Sequence, residues 1–244
     1  MSVSPYSVLH APSSTLSVVG TPIGNMDDIT LRALRTLAEA DLVLCEDTRV
    51  TARLLARHGI SRTTMSYHAH SRLSRLDDIV RLLREGKRLA LVSDAGTPGI
   101  SDPGTELVAY VRRECADMLA DGSLRIEAIP GPSALAAALS VAGVPTASFT
   151  FLGFLPHKKG RETLMNEIAA SERAIVFYES PHRIMKALTS LAERMTDSTK
   201  RITVVRELTK IYEEVVTGAP AEVLAHFEEH PDTIRGEFVV IVSD

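Results

Sequence analysis

The chain has 244 residues, 45% of them apolar, a formal net charge of −4 at pH 7 and two cysteines. That is enough chain for one large or two small domains of the usual about 100–200 residues. No apolar run approaches the roughly 18 residues of a membrane helix. Cys45 and Cys115 stand alone in apolar contexts, which excludes a disulfide framework and suits a reducing cytoplasm. The acidic balance does not announce a nucleic-acid binder, so any such case rests on how the charge is distributed.

The first 14 residues, MSVSPYSVLHAPSS, lack the charged and apolar regions of a signal peptide and read as a flexible leader. Strand and helix signals then alternate. Leu16–Val19 reads as a strand, Leu31–Ala38 as a helix, Leu42–Cys45 as a strand, and Val50–Arg57 as a helix stopped by Gly59. Leu73–Leu83 is a helix stopped by Gly86; then come a strand at Leu89–Val92, one helix over Pro103–Leu119, a strand at Leu124–Ile129 and a small-residue helix over Pro132–Val141. This alternation implies βαβ units and a mostly parallel sheet. After Gly143-Val144-Pro145 the texture becomes mixed: strands at Phe149–Leu152, Ala174–Tyr178, Ile202–Val205, Glu213–Val216 and Phe238–Val242, with helices at Gly160–Ala170, Pro181–Leu191 and Ala219–Phe227. The expected organisation is an N-terminal α/β domain over 15–131 and a C-terminal one over 132–244.

The polar and Gly/Pro-rich segments follow strands. Leu89–Gly104, LALVSDAGTPGISDPG, is an apolar strand running into a long loop with Gly96, Pro98, Gly99, Pro103 and Gly104 and acids at Asp94 and Asp102. In open α/β sheets ligands bind at the carboxyl ends of strands, and glycine lets backbone amides approach them. The first strand ends in VGTPIGNMDDIT, where Thr30 can cap the following helix. It is not G-x-G-x-x-G, and no G-x-x-x-x-G-K-[ST] occurs, which argues against dinucleotide and P-loop sites. The second strand ends in CEDTR; Glu46, Asp47 and Arg49 cluster there, as helix cap or as chemistry.

Arg49, Arg53 and Arg57 recur at i, i+4, i+8 and share one helix face. No acid occurs from Thr48 through Leu76, while Arg62, Arg72, Arg75, His58, His68 and His70 do. Such a stripe suits phosphate backbones, or is a solvated face. His68-x-His70 lacks the further ligands a metal needs, so no metal is expected. Pro130–Ala134 opens a helix whose N-terminal amides admit close ligand approach. FLPHKKGR, with Lys158 and Lys159, is a second basic spot, and His182 in YESPHR has the pKa range of a general base.

Together VGTPIGN, LCEDTR, LVSDAGTPGISDPG, IPGPSA, GFLPHKKG, FYESPHR, VVRELTK and GEFVVIV, in that order, resemble the tetrapyrrole methylase superfamily, the class III S-adenosylmethionine (SAM) methyltransferases. The spellings CEDTR, SDAGTPGISDPG and YESPHR resemble the branch that methylates ribosomal RNA. The resemblance implies two α/β domains, SAM in the cleft between them, a homodimer, and 2′-O-methylation of a cytidine in the 16S rRNA of the small ribosomal subunit. It implies that Pro22, Asp94, Gly96, Thr97, Ser133, Ala134, Phe177 and Tyr178 contact SAM, with Arg206 and Glu207 nearby. On that reading Glu46, Asp47 or His182 handles the ribose proton, while Arg49, Arg53, Arg57, Lys158, Lys159 and Arg183 hold RNA. The corrin methylases carry G-x-G-P-G-D in the first loop; here it is Gly20-Thr21-Pro22-Ile23-Gly24-Asn25, which points away from a ring substrate. Members often add a helical segment after the last strand; without it, RNA grip is expected to be weaker or carried elsewhere. The span Glu114–Ser123 is longer than usual for the family and reads as a surface extension. A corrin methylase and a non-catalytic SAM or nucleotide module are the alternatives.

Overall fold

The computed structural model describes residues 12–67, 73–145, 147–196 and 198–244. The chain divides into two compact units: one comprises the chain up to Pro22 together with Met26–Pro132, the other Ile23–Asn25 together with Ser133–Asp244. Both are α/β.

The first unit runs β1 (Ser14–Val19), α1 (Leu31–Glu39), β2 (Leu42–Cys45), α2 (Thr48–Arg57), β3 (Thr64–Ser66), α3 (Leu73–Arg84), β4 (Arg88–Leu91), α4 (Gly104–Glu114), α5 (Ala116–Ala120) and β5 (Leu124–Ile129). Its five strands are all parallel, in the order β3-β2-β4-β1-β5. Period-2 alternation sends Leu42, Leu44, Leu89 and Leu91 to a core with α3 and α4. Val43, Cys45, Ala90 and Val92 face the other way, to a core with α1 and α2. Burial on both faces is why these strands read as continuous apolar runs.

The second unit runs α6 (Ala134–Val141), β6 (Phe149–Phe154), α7 (Arg161–Ala170), β7 (Ala174–Glu179), α8 (Ile184–Arg194), β8 (Arg201–Arg206), β9 (Glu214–Gly218), α9 (Pro220–Glu229) and β10 (Phe238–Ser243). The sheet order is β6-β7-β10-β8-β9, with only β6–β7 parallel. Helices α7, α8 and α9 pack on one face through Met165, Ile168, Leu188 and Phe227; α6, with Ile23, packs on the other.

Several expectations are corrected. The single helix over Pro103–Leu119 is two helices, because α4 ends at Cys115 (φ −116°, ψ 29°), whose side chain is fully buried. The span Glu114–Ser123 is largely exposed, as a surface extension should be, and is anchored by Met118 and Leu119 on the core and by Asp117 paired with Arg84 at 2.9 Å. Ser14, assigned to the leader, is the buried first residue of β1; its hydroxyl donates to the carbonyl of Lys87 at 2.9 Å. Strand β3 has no sequence signal, being three residues inside the basic stretch. The leader through residue 11, His68, His70 and Arg72 lie outside the described residues.

Candidate active site

Four carboxyl-end loops of the first sheet sit in the order set by β2-β4-β1-β5, and each is tied to a neighbour. Between β4 and β1, the amide of Thr21 donates to the carbonyl of Gly96 at 2.9 Å and the amide of Gly96 to that of Thr21 at 3.1 Å. Between β1 and β5, Gly20 and Gly131 pack backbone on backbone: a Cβ on Gly131 would lie 2.7 Å from the Gly20 carbonyl oxygen. The Thr97 hydroxyl donates to the Pro132 carbonyl at 3.0 Å. Between β2 and β4, the Asp47 amide donates to Asp94 Oδ1 at 3.0 Å, while the Glu46 carboxylate accepts from the Asp94 amide. Pro22, Glu46, Asp47, Asp94, Gly96 and Thr97 thus belong to one stitched edge. Gly96 (φ 82°) and Gly99 (φ 90°) take backbone angles that favour glycine.

The acids of this edge have different roles. Asp102 accepts from the amides of Gly99 (2.8 Å) and Gly104 (2.7 Å), which folds its loop back on itself. Asp47 caps α2, accepting from the Arg49 amide at 2.8 Å, and its carboxylate is forked by the Arg49 guanidinium. Those bonds pull its pKa down to about 2. Glu46 is half-buried, and burial, followed by the charges of Asp94 and Asp102, raises its carboxyl above the ordinary range. Burial likewise raises the Cys45 thiol.

On α2, Thr51, Leu54 and Leu55 bury one face and Arg49, Arg53 and Arg57 take the other, as their spacing requires. Arg49 is committed to Asp47, and Arg57 stands 4.0 Å from Asp27. Among the described residues Arg53, exposed, donates only to the Arg49 carbonyl at 3.4 Å.

In the second unit, Ser133 is the N-cap of α6 without a side-chain cap bond. Tyr178 is bonded to the backbone of Leu135, and burial raises its phenol pKa. Ala134 and Glu207 line a cavity of about 20 Å³ with Ile23, Leu208 and Lys210, room for about one water. Glu207 (φ 50°) pairs with Lys210 at 2.7 Å. Arg206 is buried and pairs with Glu214 at 2.6 Å. The Phe177 side chain is fully enclosed in the helix-covered core. His182 is exposed on the turn before α8. Arg183 is withdrawn from its expected role on phosphate, because its guanidinium is spent on Glu179 (2.8 Å) and the Leu155 carbonyl (2.9 Å).

A family model described as Tetrapyrrole (Corrin/Porphyrin) Methylases matches residues 15–224. The chain belongs to this family. A similar protein named ribosomal RNA small subunit methyltransferase I, from Thermotoga maritima, is 42% identical over 93% of this methylase and 97% of its own length. One of the same name from Escherichia coli O157:H7 is 42% identical over 93% of the chain and 77% of its own. Among solved structures, the methyltransferase CobJ superposes with a TM-score of 0.62 at 21% identity, covering 95% of this chain and 93% of that one. The Thermus thermophilus uroporphyrin-III C-methyl transferase complexed with S-adenosylhomocysteine gives 0.60 at 20%, covering 94% and 97%. At such identities these structures establish the fold of the methylase.

Sequence reasoning on the methylase saw Gly20, Thr21, Gly131 and Asp102 in their loops but left them out of the site; they build the edge without offering chemistry. A glycine directly after a strand, paired with a Pro-Gly-Pro after another, was the available signal.

Proposed function

We propose that this methylase transfers a methyl group from SAM to a ribose 2′-oxygen of a cytidine in 16S rRNA of the small ribosomal subunit, in the cytoplasm. The observation that carries the reading is the agreement, over 93% of the chain, with relatives named for that subunit's RNA, joined to a stitched loop edge whose polar groups fit the cofactor. Positive-φ glycines, backbone amides and Asp94 suit a zwitterionic amino acid moiety. Pro22, Asp94, Gly96 and Thr97, on the stitched edge of the first unit, would hold SAM. When bound, SAM supplies a sulfonium methyl that is already electrophilic. The protein's task is to place the ribose oxygen in line with it and to accept its proton.

Glu46 is the best proton acceptor of the three candidates. Its half-buried setting among Asp94 and Asp102 raises its proton affinity, whereas Asp47 is held low by Arg49. Arg53 of α2, with Arg49 and Arg57, would meet RNA phosphates beside it. We also propose a homodimer. Helix α6, ALAAALSV, is apolar but for Ser140, yet only Ala138 is fully buried; Val141 is 46% exposed, and Phe149 on the edge strand β6 is 39% exposed. Sedimentation at increasing concentration tests it, and a monomer at every concentration overturns it.

Methyl-labelled SAM offered separately to small subunits, free rRNA and a corrin precursor tests the function. Label mapped to a cytidine 2′-oxygen is expected. Label on the ring, or on nothing, refutes it.

A further inference from the structure

The two basic and aromatic motifs of the second unit are joined by a buried charge cluster. Glu179, at the end of β7, is fully buried, and its two oxygens meet two guanidiniums: Arg161 at 3.1 Å and Arg183 at 2.8 Å. The Ser180 amide completes the carboxylate at 2.8 Å. Each arginine then reaches the same stretch of chain: Arg161 donates to the Pro156 carbonyl at 3.2 Å and Arg183 to the Leu155 carbonyl at 2.9 Å. The root of that stretch is fixed as well. Strand β6 bulges between Phe151 and Phe154, with Gly153 at φ 64°, and Phe154 re-pairs with Tyr178, ring centroids 5.4 Å apart.

What this machinery holds is short and exposed. His157, Lys158, Lys159 and Gly160 all face solvent before α7 begins at Arg161. The nearby Glu162 is taken by Arg194, so among the described residues both lysines keep unpaired charge. The buried cluster adds one net positive charge beneath them. Burying three charged groups to fix a surface loop is costly unless the loop's position matters. A positive, aromatic-rooted finger fits a nucleic-acid backbone.

We propose that Arg161, Glu179 and Arg183 are positioning residues that clamp residues 154–160 as a rigid finger, and that Lys158 and Lys159 at its tip contact RNA phosphates. This rests on the RNA reading above. It moves the role expected of Arg183 from phosphate contact to support of the finger.

The test is a double-mutant cycle on the full-length protein, with small ribosomal subunits as probe and binding measured at several salt concentrations. Lys158→Ala/Lys159→Ala is a surface change and should weaken binding roughly tenfold, lowering the salt slope by about 1.4–1.8 for two lost phosphate contacts. Arg161→Lys retains charge but cannot reach both Glu179 and the Pro156 carbonyl as a fork. In that background the double alanine change should cost about twofold or less, because the lysines are no longer held in register. Arg183→Lys serves as a second background should Arg161→Lys fold poorly; unchanged SAM affinity is the folding control. A full tenfold loss in the clamp backgrounds makes the cluster merely structural and overturns the clamp. Wild-type affinity and salt slope for the double alanine variant overturn the finger. Methyl transfer by the wild type to the same subunits is scored in parallel: its absence refutes the RNA reading itself, whatever the cycle returns.

Discussion

Gly20→Ala should damage the loop edge more than any polar substitution there. The added Cβ would lie 2.8 Å from both the Cα and the amide nitrogen of Gly131, where carbon atoms ordinarily stand about 3.5–4.0 Å apart. Backbone cannot rotate away as a side chain does, so the loops after β1 and β5 must part by roughly 0.7 Å or more. Thr21 follows directly, and its two backbone bonds to Gly96 are exposed to that displacement. Overpacking costs about 1–3 kcal/mol, and weakening two hydrogen bonds adds about 1 kcal/mol. The expected loss is roughly 2–4 kcal/mol, which for a chain of this size reads as a Tm drop of about 4–16 °C. SAM affinity should fall at least about tenfold, since misplacement by even an ångström can cost a hundredfold in a positioned site. Gly143→Ala is the control: unlike Gly20 it has positive φ (65°), but nothing lies within 4 Å of its Cβ, so its cost is backbone strain alone. Thermal melts and calorimetric SAM titrations of both variants decide the matter. If Gly20→Ala loses no more stability than Gly143→Ala and binds SAM normally, the glycine contact does not position the edge.

Three further outcomes follow from the charges. Glu46→Gln should abolish methyl transfer yet raise Tm at neutral pH. A carboxyl whose pKa is raised in the folded state destabilises the fold once pH passes its ordinary value; removing the charge removes that cost, and wild-type kcat should fall as pH drops through the raised value. Unchanged kcat for Glu46→Gln would dismiss Glu46 as the proton acceptor. For Asp47 the sign is reversed: its pKa is held at about 2, so its contribution is present above the ordinary range near 4 and fades as pH falls toward 2. Asp47→Asn should therefore melt below wild type at pH 7, and the two melting curves should converge in acid. Arg53→Glu should weaken subunit binding and flatten its salt dependence with SAM affinity intact; equal loss of both would indicate misfolding instead.

The alternating texture made the first unit legible, because strands buried on both faces announce themselves as apolar runs and Gly59 and Gly86 end two of the helices. Strand β3 was not legible: Thr64–Ser66 has no periodicity to detect, and its partner Val43–Cys45 supplies the bonds. The helix break at Cys115 was hidden because a buried apolar residue looks the same inside a helix as at its end. Ile23–Asn25 belong to the second unit while lying in the chain of the first. No composition signal marks that; the tie is the Asn25 amide donating to the Thr209 hydroxyl at 3.0 Å, 184 residues away.

The candidate site divides along a physical line that residue type alone does not draw. Asp102, Glu179 and Arg206 stand in motifs and carry charge, yet each is saturated by backbone amides or an opposite charge that the fold itself requires. Arg183 was misjudged on this account: its exposure could not be read from YESPHR, and Glu179, four residues before it, claims it. Glu46 is the opposite case. Among the described residues it takes one amide bond, meets no cation and faces two other acids. Such an arrangement works against stability, and a fold that tolerates it at the carboxyl end of β2 has a reason outside folding to keep it there. That reasoning favours Glu46 over the two residues with equal claim by sequence, and it makes the paired outcome for Glu46→Gln, higher Tm with lost turnover, the result that distinguishes a chemical role from a capping one.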